Sequence, residues 1–315
     1  MDITIACAWW RNHFGYTDPW PGGILLSALA RRFVRRVVVM DPAGLAACRG
    51  GAAIFSANHQ VAIESILFDF LVPAPIETPI ATVMKTEYRH GWIGRLIALL
   101  ESCPAFEFPS FAFFSDPSEQ NNSPVGTLPA LRERLNEDKS AFLVHAAGTR
   151  SATCNDPVTQ SIPTFPDFVP GMGIPIIPVR FSGGLPTRGS HDQTRLELPL
   201  GSTGQDWFIG APLYPEDLSG IPSKERKERI LASIDNLGPP LADERPNRPD
   251  EDFSRKVESL GESLGIRPLA ATLLAALQAD PEGVSLAESL SADDFENGTP
   301  SGQWLSDLEQ WMGKL

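Results

Sequence analysis

The chain has 315 residues, of which 42% are apolar and 21% are charged, so it can bury the core of one large or two modest globular domains and is not disordered throughout. Lys and Arg number 26 against 39 Asp and Glu, a formal net charge of −13 at pH 7, which excludes binding to nucleic acid or anionic lipid by bulk charge. The 29 prolines and 26 glycines indicate frequent loops and short elements, which excludes fibrous and coiled-coil architectures.

The cysteine pattern and the hydropathy pattern bear on the cellular compartment. No two cysteines have C-x-x-C spacing, so free thiols in a reducing compartment are expected rather than a zinc ribbon or a thioredoxin-type site. Arg11 and His13 come too early for a signal-peptide core, and no window reaches the ~20 uncharged apolar residues of a spanning helix. We therefore expect a soluble, cytoplasmic protein whose contact with a membrane is peripheral at most.

Residues 1–36 are predicted to form an N-terminal segment, which is aromatic and turn-rich over 1–22 and helical from Gly23 to Arg36. Four arginines crowd the end of this helix, namely Arg31, Arg32, Arg35 and Arg36. They either dock an acidic carrier protein or lipid headgroups, or they are solvated charges that suit the dipole of a helix C-terminus. The second interpretation is favoured.

Short apolar strands alternate with helical segments over residues 37–237, which predicts one α/β domain whose layered sheet is flanked by helices. The predicted strands are Val37–Met40, Ala52–Ala57, Ile80–Met84, Ala141–Val144, Ile174–Arg180, Leu196–Leu198 and Trp207–Ile209, the last two near an exposed edge. The predicted helices are Ile63–Val72, Trp92–Leu100, Leu128–Asn136 and Ser223–Leu237. In such folds the chemistry collects at strand ends and in the loops that follow them.

Two further segments complete the predicted organisation. Residues 238–252 have the composition of a linker. Residues 253–315 are predicted to form an extra helical C-terminal segment, which either binds a partner, caps the active site or packs on its own domain.

The residues after the predicted strand Ala52–Ala57 form a candidate acid–base pair. His59 follows the strand, and Glu64 lies five positions further on. Inside an ideal helix such positions face roughly 140° apart, so the two side chains meet only if His59 lies in the turn before the helix. The imidazole then folds back onto the carboxylate, which leaves the other ring nitrogen to accept a proton. The alternative is a histidine that only caps the helix start; a metal site is not expected, because H-E-x-x-H is absent.

The residues after the predicted strand Ala141–Val144 form a candidate anion site. The turn Gly148–Ser151 offers backbone amides, two hydroxyls and the guanidinium of Arg150 to an anion. The alternative is an ordinary turn with an exposed arginine. No G-x-G-x-x-G, P-loop or G-x-S-x-G motif occurs, which excludes dinucleotide-binding, P-loop and common hydrolase interpretations.

These motifs occur in an order that resembles the glycerolipid (PlsC-type) acyltransferase superfamily. Its motifs N-H-x4-D, F-P-E-G-T-R-S and V-P-I-V-P-V correspond to Asn58–Glu64, His145–Ser151 and Ile174–Val179 here. A stretch that begins near Lys85 resembles a further block of the family, and Phe208–Leu213 resembles its late G-x-P-[LI] strand. The resemblance covers about residues 37–237.

The resemblance implies transfer of a fatty acyl group from an acyl-CoA or acyl-carrier-protein thioester to a hydroxyl or amine of a metabolite or lipid. His59 would be the general base and Glu64 its partner, with a hydrophobic tunnel for the acyl chain. No metal or cofactor is implied beyond the thioester co-substrate, and an acyl carrier protein is a possible partner. The implied substrate-binding residues are Asn58, Lys85, His145, Gly148, Thr149, Arg150, Ser151 and Pro178.

Three positions depart from the family pattern. Glu64 replaces an aspartate, which keeps the charge, whereas Ala147 stands where the family has an acid and Glu107 lies where an arginine is expected. The changes predict an acceptor less anionic than lysophosphatidic acid or glycerol 3-phosphate. Two alternatives stay open at this point: an acyl-thioester hydrolase on the same dyad, and a degenerate relative that binds acyl chains or a carrier protein without catalysis.

Overall fold

One seven-stranded sheet forms the centre of the fold. The computed structural model describes residues 2–15, 21–85, 88–89, 92–101, 112–115, 133, 135, 140–159, 172–185, 198–265, 268–281 and 283. In chain order the strands are β1 (Val34–Val39), β2 (Ala53–Ala57), β3 (Ile80–Lys85), β4 (Ala112–Ser115), β5 (Ala141–His145), β6 (Ile176–Ser182) and β7 (Gln205–Ile209). Several predictions fall outside these ranges: most of the helix Leu128–Asn136, positions 196–197, Glu107 and residues 284–315.

The strand order is β1-β7-β6-β2-β5-β3-β4, and every neighbouring pair is parallel except β6 with β7. Ala57, the last residue of β2, lies opposite both His145 of β5 and Val179 of β6. The carboxyl ends of β2, β5 and β6 therefore meet at one edge of the sheet, where loops commonly carry function. The predicted exposed edge at Trp207–Ile209 is wrong, because β7 is buried between β1 and β6.

Helices cover both faces of the sheet. They are α1 (Ile3–Phe14), α2 (Pro21–Phe33), α3 (Pro42–Ala47), α4 (Ile63–Leu71), α5 (Pro73–Ile76), α6 (Trp92–Glu101), α7 (Pro215–Leu218), α8 (Ser223–Asp235), α9 (Glu251–Leu264) and α10 (Pro268–Gln278). Side chains of α1, α2, α4, α6 and α10 share one apolar core with Phe55 and Val179. Ile54 and Phe142 point to the opposite face, where they meet α7 and α8. The predicted α/β class, a sheet flanked by helices, is confirmed.

The N-terminal segment differs from its prediction in two places. A helix, α1, occupies much of the stretch predicted to be turn-rich, because the Asp2 carboxylate caps it at Thr4 N (2.8 Å) and Trp10 is buried. The next helix ends at Phe33 rather than Arg36, since the valine-rich residues after it pair with β7. The four arginines form the ion pairs Arg31–Asp280, Arg32–Asp250, Arg35–Asp206 and Arg36–Asp206. Their charges are thus largely matched within the chain.

The segment 238–252 contains a short 3₁₀ turn, Leu241–Asp243, and then lies against the end of β6. Glu244 is buried and accepts a hydrogen bond from Gly183 N (3.0 Å), and Asn247 N donates to Gly183 O (3.0 Å). The linker-like composition of the 238–252 segment did not indicate these buried contacts. The boundaries proposed at residues 37, 237 and 253 stay predictions.

The last described helices return to the N-terminal segment. Helix α10 packs on α2 and α9, and nine of its residues are buried. In the described part of the chain, no single helix is both long enough and apolar enough to cross a bilayer. Helices α9 and α10 meet these two criteria only when they are taken together, and the pair is bent by 117°.

Candidate active site

His59 and Glu64 meet where β2 leads into α4. The strand ends at Ala57 and the helix begins at Ile63, so His59 lies in the connecting turn and Glu64 in the first helical turn. Nδ1 of His59 lies 2.8 Å from Oε1 of Glu64. The contact inferred from their spacing is therefore present, and the N-cap residue of α4 is Ala62 rather than His59.

Hydrogen-bond donors surround the carboxylate of Glu64, which is fully buried. Oε1 also accepts from Gln60 N (2.8 Å), while Oε2 accepts from Val61 N (3.2 Å) and from Gln205 Nε2 (2.6 Å). Burial raises the pKa of Glu64 to about 7, against the opposing effects of His145 and of these hydrogen bonds. Such donors favour the ionised carboxylate, so they limit the rise in pKa that burial causes.

The imidazole of His59 is a neutral base. Burial lowers its pKa to about 3, and the positive charge of Arg150 acts in the same direction. Because a carboxylate only accepts, Nδ1 carries the proton and Nε2 keeps its lone pair. None of the described residues forms a hydrogen bond with Nε2, and 17% of the side chain is exposed. Nε2 is thus placed to take a proton from a bound molecule.

A second imidazole, that of His145, stacks on His59 with 3.8 Å between ring centroids and 20° between planes. Its Nδ1–H donates to the backbone carbonyl of Asn58 (2.8 Å), so its Nε2 accepts from the hydroxyl of Ser65 (2.8 Å). Burial lowers the pKa of His145 to about 3, with a further contribution from His59. Both nitrogens of His145 are therefore engaged, and it presents a neutral ring face to the base.

The same three side chains form a cluster that resembles a metal-ligand set. Among the described residues, His59, Glu64 and His145 bring ligand atoms within 4.8 Å of one another. However, Nδ1 of each histidine carries a proton in the hydrogen bonds above, and Nε2 of His145 accepts from Ser65. A metal ligand must offer a free lone pair. The hydrogen bonds therefore engage the ligand atoms of this set except Nε2 of His59, and the three side chains form a hydrogen-bonded cluster.

The turn after β5 lies next to the dyad. Gly148, at φ +64°, donates its N–H to His145 O (2.9 Å) and closes the turn. Ser151 N donates to His59 O (2.7 Å), which brings Arg150 close enough for its charge to lower the pKa of His59. Thr149 is exposed. The structure thus brings the predicted Gly148–Ser151 turn to the base.

Three other predicted binding residues have different surroundings. The side-chain amide of Asn58 donates to Phe181 O (2.8 Å) and accepts from Phe181 N (2.7 Å), so it joins β2 to β6. Lys85 is exposed at the end of β3, which β5 separates from β2. Pro178 lies buried in β6 opposite Ser56, and its ring lies beside Gly210. No described contact joins Lys85 or Pro178 to the dyad.

Sequence reasoning missed the polar side chains behind Glu64. Gln60, Gln205 and Glu244 are all buried and hydrogen bond to one another or to Glu64. Gln60 adjoins the predicted base and could have been noticed as an amide in an apolar stretch. Gln205 and Glu244 lie far along the chain and carry no spacing signal, since only the fold brings them to the site.

A cavity of about 560 Å³ opens at the carboxyl end of β6, beside Glu244. Its lining is polar and includes Arg35, Asp206, Asp243, Glu244, Arg245 and Arg248. His59 is not among the residues that line this cavity, and the cavity walls are polar rather than apolar. This cavity is therefore not the acyl tunnel that the resemblance implies, and the tunnel stays a prediction.

The comparisons with known proteins find likeness in structure and none in sequence. No protein-family model matches the sequence, and no curated protein matches it. Among solved structures, the chain is similar to the 1-acyl-sn-glycerophosphate (LPA) acyltransferase PlsC from Thermotoga maritima, with 18% identity and a TM-score of 0.43 over 68% of this chain and 76% of that one. A likeness at this level concerns the fold, and no residue role follows from it.

Proposed function

We propose that this protein is an acyltransferase that moves a fatty acyl group from an acyl-CoA or acyl-carrier-protein thioester to a hydroxyl or amine acceptor. The observation that carries the proposal is the 2.8 Å contact between His59 Nδ1 and Glu64 Oε1, with Nε2 directed to no described partner. A neutral imidazole held by a buried carboxylate is the arrangement of a general base.

The proposed reaction begins when the acceptor binds with its hydroxyl or amine against Nε2 of His59. Nε2 takes the proton while the acceptor oxygen or nitrogen bonds to the thioester carbonyl carbon. The tetrahedral intermediate then reforms its C=O bond and breaks the C–S bond, and the leaving thiolate takes the proton from His59. Glu64 stabilises the imidazolium that exists between these two proton transfers.

The turn beside the dyad supplies the proposed binding groups. Arg150 places positive charge near His59, which favours the developing oxyanion or an anionic part of the substrates. Thr149 and Ser151 offer hydroxyls from the same turn, Gly148 gives it its left-handed bend, and His145 contributes a ring face. With Ala147 where the family has an acid, we propose an acceptor of low negative charge.

The proposal extends to location and partners. We propose a cytoplasmic protein with at most peripheral membrane contact, which uses an acyl thioester as co-substrate and requires no cofactor. An acyl carrier protein remains a proposed donor, although its docking by the arginines near α2 competes with the ion pairs those residues already form.

The test is product analysis with purified protein. Acyl-CoA and acyl-carrier-protein donors of several chain lengths are incubated with pools of hydroxyl- and amine-bearing acceptors, and products are identified by mass spectrometry. We expect an acylated acceptor and free thiol in equal amounts. Free fatty acid regardless of acceptor would identify a hydrolase, and thioester binding without turnover would identify a non-catalytic relative; either result overturns the proposal.

A further inference from the structure

The carboxylate of Glu64 is one end of a buried chain of hydrogen bonds. Gln205 Nε2 lies 2.6 Å from Glu64 Oε2 and 3.3 Å from Gln60 Oε1. Gln60 Nε2 in turn donates to Glu244 Oε1 (3.0 Å), and Glu244 pairs with Arg180. All five side chains are at most 3% exposed. These hydrogen bonds join the start of β7, the turn that carries His59, strand β6 and the 238–252 segment.

The orientation of both amides is determined by their partners. Trp207 Nε1–H can only donate, and it lies 2.7 Å from Gln205 Oε1, so the NH₂ group of Gln205 faces Glu64. Likewise Gly184 N donates to Gln60 Oε1 (2.8 Å), which directs the NH₂ group of Gln60 toward Glu244. Neither amide can rotate by 180° without bringing two donors together.

The charge at the far end of the chain is balanced by a cation. Arg180 donates to Glu244 and to Asp235 O (2.8 Å), and Gly183 N donates to Glu244 Oε1 (3.0 Å). At the near end, the titratable groups that interact with Glu64 are His59 and His145, and Arg150 acts on His59. Neither histidine opposes a charge on Glu64, whereas burial does, and the donors to Glu64 act against the effect of burial together with His145.

We propose that Gln205 is a positioning residue for the dyad: its amide, held by Trp207 and through Gln60 by Glu244, favours the ionised form of Glu64 and keeps the carboxylate turned toward His59. The inference rests on the proposed function. A buried polar network is costly compared with an apolar core of the same shape, and this one ends on the carboxylate that binds the base. Purely structural packing does not require an amide that donates to that oxygen.

Two variants test the inference through the pH profile of acyl transfer. Gln205→Leu removes a donor to the Glu64 carboxylate and thereby raises its pKa. The midpoint of the acidic limb in the plot of kcat/KM against pH, which reports protonation of Glu64, is therefore expected to move up by about one pH unit. Gln205→Glu replaces the amide by a second carboxylate against Glu64, so its limb is expected to move further in the same direction. Asp69→Asn changes another buried polar group on α4 outside the network, and its limb is expected to coincide with that of the native protein.

A second readout does not depend on activity. The chain has five histidines, so selective ¹⁵N labelling resolves the tautomer of each ring by NMR. In the native protein His59 carries its proton on Nδ1; in Gln205→Glu a fraction moves to Nε2, while His145 keeps its own tautomer. Unchanged His59 signals in both variants, or equal changes at His145, would overturn the inference. Lack of acyl transfer by the native protein would instead overturn the proposed function, and the NMR result would still decide the role of Gln205.

Discussion

At the scale of single residues, the proposed base is one of two stacked imidazoles that differ in their hydrogen bonds. Both nitrogens of His145 have partners, whereas Nε2 of His59 has none among the described residues. His59 can therefore gain a proton at a nitrogen that has no described partner, whereas a second proton on His145 would require the Ser65 hydroxyl to turn from donor to acceptor. The neighbouring ring also gives the transient imidazolium a polarizable face. This asymmetry favours His59 over His145 as the base.

Replacement of His59 by alanine is expected to lower turnover by about 10²–10⁴-fold, the usual contribution of a general base. The fold should persist, because the ring is partly exposed and Glu64 keeps its three other donors. Steady-state kinetics and circular dichroism measure the two effects. His13→Ala, which removes a ring from α1 far from the dyad in sequence, is the matched control. Equal rates in the two variants would show that His59 is not the base.

Glu64→Gln is expected to lower the rate by about 10²-fold or more, since the imidazolium loses its counter-charge. The four groups around the native carboxylate all donate, so the NH₂ of the new amide necessarily faces another donor. Glu64→Asp keeps the charge and is expected to retain more activity than Glu64→Gln. Measurement of kcat/KM for both variants tests which of them is more active. A rate equal to that of the native protein in Glu64→Gln would show that the carboxylate has a structural role only.

The sequence allowed the dyad to be predicted but not its support. His59 and Glu64 are close along the chain, so a strand end and a helix start suffice to place them together. Gln205 and Glu244 reach the same site only through strand order and through the path of the 238–252 segment. No periodicity in one sequence encodes such long-range contacts.

At the scale of elements, local patterns located every described strand except β4, as well as the helices α2, α4, α6 and α8, but they did not predict α1 or the short helices α3, α5 and α7. The errors at the end of α2 and at β7 come from tertiary contacts. β2, β3 and β5 were predictable because each is a short apolar run between turn signals. Arg35 and Arg36 looked helical because they continue a helical segment, but pairing with β7 draws them into β1. The position of β7 inside the sheet could not be predicted, since no local signal specifies that it runs antiparallel to β6.

Helix α4 and strand β3 are joined by a buried acid whose protonation links stability to pH. Asp69 Oδ2 accepts from Thr82 N (3.0 Å) and Thr82 Oγ1 (2.6 Å), and burial raises the pKa of Asp69 well above its ordinary value. Above about pH 4 the unfolded chain releases this proton while the native state keeps it. The contribution of Asp69 to stability therefore falls as the pH rises.

Asp69→Asn is expected to remove this dependence while the amide oxygen still accepts from Thr82. The free energy of unfolding of the variant, relative to the native protein, should increase by about 1.4 kcal/mol per pH unit above the ordinary aspartate pKa. Urea denaturation at several pH values between about 5 and 7 measures the difference. A difference that does not vary with pH would mean that Asp69 is ionised in the folded protein.

At the scale of the whole molecule, both ends of the described chain complete the core beside the sheet. Side chains of α1, α2 and α10 share one apolar cluster with the strands. Arg32 lies over the ring of Phe253 (5.0 Å to its centroid) and pairs with Asp250 (3.1 Å), which joins α2 to the start of α9. The C-terminal helices are therefore bound to the face of the sheet that carries α4, and α4 holds Glu64.

This arrangement predicts unequal effects for two leucines of the C-terminal helices. Leu273 on α10 is 1% exposed within the core cluster, whereas Leu264 at the end of α9 is 53% exposed. Leu273→Ala removes buried methyl groups and leaves a cavity, so it is expected to lower the free energy of unfolding by about 2–5 kcal/mol. Leu264→Ala is the matched control, with an expected change within about 0.5 kcal/mol. Urea denaturation of both variants measures the contrast; equally small changes would show that α10 does not form part of the core.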